Sequence, residues 1–222
     1  DGPMQVVSGS LSRRQVHYQA PPAHALPLEM ADFLLWYETF QEIDPLIKAG
    51  LAHLWFVTIH PFDDGNGRIA RAIGDMALSR ADQGKQRFYS LSAQIQKERK
   101  DYYALLEKTQ KGNLDATEWL TWFLACLLRA LQEANETLSR VLVKANFWRQ
   151  WAGTSFQTRQ IKVLNRMLDG FDGKLTNKKW AAIGKCSSDT ALRDMNDLVT
   201  RGVLHKTEAT GRSTSYALNI TL

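Results

Sequence analysis

The sequence predicts a mainly α protein: a helical body entered through a β-hairpin, then a C-terminal winged helix-turn-helix. Three observations carry that expectation. Apolar residues recur three and four positions apart through most of residues 28–139, the spacing of one buried helix face. Short β-prone runs separated by turn residues occur near the two ends of the chain. The charge balance also changes: residues 1–139 hold 14 Lys/Arg and 17 Asp/Glu, whereas residues 140–222 hold 14 and 6. A basic last third on a mildly acidic body suggests two units with different partners. We place them at residues 1–140, with the hairpin at 4–19, and 141–222.

Met4–Val7 and Gln15–Tyr18 are the strands of the first hairpin, with Ser8-Gly9-Ser10 and Ser12-Arg13-Arg14 as turn material. Leu28, Phe33, Leu34, Tyr37 and Phe40 give a helix face after Pro27. Asp44-Pro45 is a cap followed by proline at the first helical position, which starts a helix running to about Ile59. Ile69–Arg80 and Leu91–Lys108 are helical in pattern. Asp115-Ala116-Thr117-Glu118 resembles a capping box and opens a long helix to about Arg140, with a connecting helix near Lys144–Trp151. In the last third, Gln160–Leu168, Thr176–Ile183 and a segment capped by Ser187 or Ser188 and ending near Thr200 read as helices. Val203–Lys206 and Ser215–Leu218 then flank the turn Ala209-Thr210-Gly211-Arg212. Helix, helix, helix, hairpin is the order of a winged helix-turn-helix.

Composition narrows the function classes. Cys126 and Cys186 are far apart, which argues against a disulfide framework or a zinc site and suits a reducing, cytoplasmic setting. No apolar run approaches the ~18 residues of a membrane span, and no membrane partner is expected. The start Asp1-Gly2-Pro3-Met4 has no signal-peptide character and no initiator methionine, so the chain reads as a fragment lacking its N-terminal part.

The chemistry concentrates in His60-Pro61-Phe62-Asp63-Asp64-Gly65-Asn66-Gly67-Arg68-Ile69-Ala70-Arg71. Pro61 disfavours helix at the residue before it, so the preceding helix stops at His60 and presents that ring beyond its end. Gly65-Asn66-Gly67 is a tight turn feeding a helix start, an anion site made of backbone N–H groups and the helix dipole. Arg68 and Arg71 share a helix face and suit phosphate oxygens. Asp64 is a hard oxygen ligand placed where a polyphosphate would bring Mg²⁺. His60, with an ordinary pKa of roughly 6.5, has a neutral form near pH 7 to take a proton from a hydroxyl. Phe62 is expected to anchor the loop in the core.

This run resembles the Fic family signature His-x-Phe-x-(Asp/Glu)-Gly-Asn-Gly-Arg-x-x-Arg at every specified position. The likeness covers nearly the whole chain, and its C-terminal unit is similar to that of a bacterial branch with an extra N-terminal domain. The resemblance implies a Fic helical core and a protein adenylyltransferase moving AMP from ATP to a Tyr, Ser or Thr hydroxyl. His60 would be the base, and Asp64 the Mg²⁺ ligand. Gly65, Asn66 and Gly67 would form the anion hole, and Arg68 and Arg71 would hold the β- and γ-phosphates. By position, Tyr103 and Gln110 fall on the adenine side. The hairpin, with Val7, Val16, His17 and Tyr18, looks like the flap that receives a target protein. Doc toxins, which are kinases, have Lys where this chain has Gly67, so the resemblance favours nucleotidyl transfer. Many Fic enzymes are restrained by a helix whose glutamate pairs with the second arginine of the signature. No glutamate here is followed by Gly or Asn as that helix requires, so it would come from an upstream segment or a partner.

Outside this run the bland readings are favoured. His24, His53 and His205 read as structural or surface residues, as does His17 apart from its place in the flap. The aromatics at 33–40, 55–56 and 119–123 read as core. The third C-terminal helix offers Ser188, Thr190, Arg193 and Asn196, but also Asp189, Asp194 and Asp197. Three carboxylates on a reading helix would repel DNA phosphates, so protein docking or a homodimer is favoured over DNA there. Other functions left open are a DNA-binding regulator with a nucleotide-sensing site, and a Fic enzyme that uses another nucleotide or removes AMP.

Overall fold

The computed structural model describes residues 3–10, 13–82, 87–113, 115–170, 173–207 and 214–220. Two compact units make up the chain, Asp1–Ala134 and Asn135–Leu222.

In the first unit, β1 (Gln5–Ser8) pairs antiparallel with β2 (Gln15–Gln19) from Gln5↔Gln19 to Ser8↔Gln15, with an irregularity between Val6 and Val7. Helix α1 (Leu26–Thr39) takes Pro27 into its first turn, where the missing N–H breaks no bond. Helix α2 (Pro45–Ile59) starts as its sequence requires: Asp44 Oδ1 accepts from Leu46 N at 2.8 Å and Ile47 N at 3.4 Å. Helix α3 (Asn66–Ala81) begins three residues before its apolar pattern, because Gly65 turns the chain there.

The single helix expected over Leu91–Lys108 is two helices, α4 (Leu91–Lys97) and α5 (Arg99–Gln110). The break is at Glu98, whose φ of −99° and ψ of 24° leave the helical region. One local and one distant partner hold it: Gln94 Nε2 donates to its carboxylate at 2.5 Å and Arg129 Nε at 2.7 Å. Helix α6 (Thr117–Gln150) runs past the predicted end near Arg140 and absorbs most of the separate connecting helix expected at 144–151. It holds no glycine or proline to stop it. Asp115 Oδ1 accepts from Thr117 N at 2.8 Å at its start.

The core gathers around α2. Phe33, Ala49, Ala52, Phe56, Ile59, Trp119 and Phe123 are nearly fully buried there. Gly50 lets α6 approach: a Cβ on it would lie 2.9 Å from Leu120 Cδ2, and Trp119 Nε1 donates to the Gly50 carbonyl at 2.8 Å. His53 is a core residue, as expected, and bonds the Tyr102 hydroxyl at 3.0 Å.

The second unit contains α7 (Thr158–Leu168), α8 (Asn177–Gly184), α9 (Ser188–Thr200), β3 (Leu204–Thr207) and β4 (Ser215–Leu218). The two strands pair antiparallel from Leu204↔Leu218 to Thr207↔Ser215, and Leu175 bridges to Tyr216 on the other side of β4. The predicted turn Ala209–Arg212 lies outside the described residues. Val163, Leu164, Trp180, Ala191, Met195, Leu198 and Val203 fill the core. Ser187, of the two candidates, caps α9, accepting from Thr190 N at 3.2 Å. Among the described residues, no helix is long and apolar enough to cross a membrane.

Candidate functional site

Helix α2 stops at Ile59, one residue before the ring it presents. Residues before proline usually become extended. His60 instead takes the left-handed region, φ 52° and ψ 55°, while its N–H still bonds the Phe56 carbonyl at 3.1 Å. This closes the helix with a left-handed cap, a position usually held by glycine. A β-carbon there costs about 1–2 kcal/mol, and such strain concentrates at functional sites. The backbone turn fixes the ring. His60 Nδ1 lies 3.3 Å from the Val57 carbonyl. A carbonyl only accepts, so Nδ1 carries the proton and Nε2 keeps its lone pair. Partial burial holds the His60 pKa below its ordinary value, against a smaller upward pull from the Val57 bond. The neutral ring is therefore favoured.

The loop after it is pinned by Asn66, which is 2% exposed. Its Oδ1 accepts from Phe62 N at 3.0 Å and its Nδ2 donates to the Phe62 carbonyl at 2.5 Å. This corrects one expectation. Phe62 does not anchor the loop from inside the core: it is 48% exposed and only tilts against Phe56. The Asn66 side chain braces the loop, which leaves only its backbone for an anion. Gly65, at φ 87°, caps α3, and the first-turn N–H groups have no intrahelical acceptor. Asp64 Oδ1 accepts from Gly65 N at 2.6 Å, and Asp64 Oδ2 pairs with Arg68 at 2.9 Å. Arg71 has no carboxylate partner among the described residues. A Cβ on Gly67 would lie 3.7 Å from its Nη1. Its field reaches inward: with burial as the larger cause, it pushes His53 down to about 3.

A cavity of about 740 Å³ brings these groups together. His60, Asp64, Gly65, Asn66, Gly67, Arg68 and Arg71 line it, with Tyr103 and Gln110 from α5 and Val7, His17 and Tyr18 from the hairpin. Val16, 42% exposed, is not among the lining residues. His17 is a tie between elements: its Nδ1 lies 2.7 Å from Glu107 Oε2 and its Nε2 2.6 Å from Ser8 Oγ. Tyr18 donates to the Thr58 carbonyl at 2.7 Å, and burial pushes its pKa up to about 12. Gln110 donates to Thr58 Oγ1 at 3.3 Å. Sequence reasoning missed Arg99, Tyr102, Leu106 and Glu107, which also face the cavity from α5. The signal was available, since positions 99, 102, 103, 106, 107 and 110 form one helical face.

Among the described residues, no three His, Cys, Asp or Glu side chains converge as a metal cage. Mg²⁺ does not require one, because it is commonly held by one or two carboxylates together with substrate phosphates. Asp64 fits that role: its carboxylate is 90% exposed at the cavity, and its Arg68 pair is a solvent-facing contact that is cheap to break.

The fold and cavity define a helical unit in which a half-buried histidine and the N-terminus of α3 line one cavity. Residues 3–78 match the model of the Fic/DOC family. The chain is 32% identical over 114 residues to protein adenylyltransferase fic-1 of Caenorhabditis briggsae, covering 49% of this chain and 21% of that protein. It is also 32% identical over 114 residues to protein adenylyltransferase Fic of Drosophila grimshawi, covering 49% and 22%. The chain thus spans about a fifth of the length of these curated relatives. Among solved structures, a Fic family protein from Desulfovibrio desulfuricans G20 matches with a TM-score of 0.51 at 24% identity. The match covers 92% of this chain and 58% of that one and supports the fold alone.

Proposed function

We propose that this protein is a protein adenylyltransferase, transferring AMP from Mg-ATP to a Tyr, Ser or Thr hydroxyl of a target protein. The observation that carries the reading is the 3.3 Å contact of His60 Nδ1 with the Val57 carbonyl, which assigns the proton to Nδ1 and leaves a basic Nε2 on a ring of the cavity wall. Such a base removes the proton as the target oxygen bonds to the α-phosphorus. The bond from that phosphorus to the β-phosphate oxygen breaks, and pyrophosphate leaves. The α3 N-terminus and Arg71 supply positive potential for the phosphates, and Arg68 adds to it once freed from Asp64. Mg²⁺, held by Asp64, would neutralise charge on the polyphosphate. Tyr103 and Gln110 would contact the adenine.

The hairpin would receive the target by strand addition, which registers a hydroxyl over His60 without demanding a sequence. The open Arg71 also suits regulation by an inhibitory glutamate from an upstream segment or a partner, since a carboxylate and a phosphate compete for the same guanidinium. The test is transfer of label from α-³²P-ATP to protein, with GTP and UTP as competing donors and mass spectrometry of the modified residue. Label from the γ-position instead would make the enzyme a kinase, and no label from any nucleotide would remove the transferase reading. Asp64→Ala should abolish both transfer and its Mg²⁺ dependence; an unchanged metal titration would place the ligand elsewhere.

A further inference from the structure

We propose that the outer face of α9, together with the exposed Lys178, Lys185 and Lys206 of the same unit, binds duplex DNA, with α9 entering the major groove. This does not depend on adenylyl transfer.

The sequence argued against it, because Asp189, Asp194 and Asp197 all lie on α9. The structure removes most of that objection. Asp194 is 4% exposed, and Arg159 grips it through two bonds, Nε at 2.6 Å and Nη2 at 2.9 Å. Asp197 Oδ2 accepts from Arg201 at 3.0 Å and from Gln160 at 3.1 Å. Asp169 pairs with Lys144 at 2.7 Å. Of the carboxylates described between residues 150 and 220, Asp189 alone has no ion pair. Lys178, Lys185, Arg193 and Lys206 are exposed, and none pairs with a carboxylate among the described residues. Among the described residues, the charge of this unit left without a partner is therefore mainly positive.

The geometry suits a groove. Lys185, left-handed at φ 50°, makes the tight turn between α8 and α9. Asn177 Nδ2 donates to the Ser188 carbonyl at 2.9 Å, which ties the start of α8, the turn that carries Lys178, to the start of α9. Ala191, Met195 and Leu198 are fully buried. At 100° per residue the opposite face carries Asp189, Arg193, Asn196 and Thr200, with Leu192 beside it, 44% exposed. Arg matches the guanine edge, Asn the adenine edge, and an apolar side chain the thymine methyl. A helix enters the ~12 Å major groove of B-DNA, whereas the deep, narrow groove of A-form RNA excludes it. A protein partner fits less well: interface cores are depleted of charge, and α9 exposes one large apolar side chain, Leu192.

The experiment is fluorescence anisotropy of the full chain with a mixed-sequence 20-base-pair duplex, from about 50 to 200 mM KCl. Log affinity should fall linearly with log salt, with a slope of about −3 to −4 if four cations displace counterions. Lys178→Ala, Lys185→Ala, Arg193→Ala and Lys206→Ala should each reduce that slope by about one. Arg193→Lys should keep it. Asp189→Asn should tighten binding several-fold, a gain that damaged folding cannot imitate. Lys162→Ala and Arg166→Ala, exposed on α7, should change it little. A slope near zero, no gain from Asp189→Asn, equal losses from the α7 variants, or tighter binding of the single strand would each overturn the proposal.

Discussion

The loop from His60 to Arg71 and the helix α9 both set arginine among carboxylates, yet the fold treats their charges in opposite ways. In the loop, the acid and base that interact are neighbours in sequence, Asp64 and Arg68, and their contact is solvent-exposed. Arg71, three residues further on, is left without a carboxylate among the described residues. In the C-terminal unit the acids are the ones consumed. Asp194 meets Arg159 from 35 residues upstream, and Asp197 meets Gln160 from 37. The lesson is that formal charge counts are a poor guide to the available field. What matters is which partner the fold has already supplied.

The sharpest way to break this contrast is at His60. His60→Ala should lower transfer by about 10²–10⁴-fold while nucleotide affinity, measured by calorimetry, changes little. A variant retaining more than a tenth of the rate would show that the loop holds phosphate without a histidine base. The pH profile adds a sign. Burial depresses the His60 pKa, so the neutral base persists below the ordinary histidine range. The acid limb of the rate should therefore fall below about pH 6.5; a limb above it would contradict the assigned environment.

Next in size is the pair that consumes Asp194. Arg159→Leu strands a carboxylate that is 4% exposed, and it should lower the melting temperature by several degrees. Arg159→Leu with Asp194→Leu should recover much of the loss. If the single variant melts like the parent, the pair is ornamental and the low exposure of Asp194 does not matter.

His53 gives a pH-dependent stability. Its folded pKa, about 3, is far below the unfolded value of roughly 6.5. Above pH 6.5 both states are neutral. Below it the unfolded chain takes up a proton that the folded chain refuses, so stability falls as pH drops. One such histidine contributes a slope of at most about 1.4 kcal/mol per pH unit, or about 2 kcal/mol by pH 5. His53→Gln should flatten urea-measured stability between pH 6.5 and 5 relative to the parent; parallel curves would reject this origin.

The smallest expected effect is at Gly65. Its φ of 87° is strained for any side chain, although the space around it is open to a methyl group. Gly65→Ala should cost about 1 kcal/mol in denaturant unfolding and a larger share of transfer rate, because the α3 start shifts. Equal, small losses in both would show that the cap is structural only.

Much of this was legible in the sequence because its causes are local. Asp44-Pro45 started α2, Pro61 ended it, and Gly65 opened α3, each through steric or hydrogen-bonding limits within four residues. The spacing of residues 60–71 therefore revealed the candidate site without any knowledge of the fold. What the sequence could not settle rests on distant partners. Glu98 breaks a predicted helix while bonded to Arg129, 31 residues away. The α5 face with Arg99 and Glu107 enters the cavity only once α2 and the hairpin are in place. The side chain of Asn66 turns into the loop, and the carboxylates of Asp194 and Asp197 turn toward α7. Backbone sterics act between neighbours and can be read along a chain, whereas a buried polar group takes whichever partner packing delivers, and only the tertiary structure decides that.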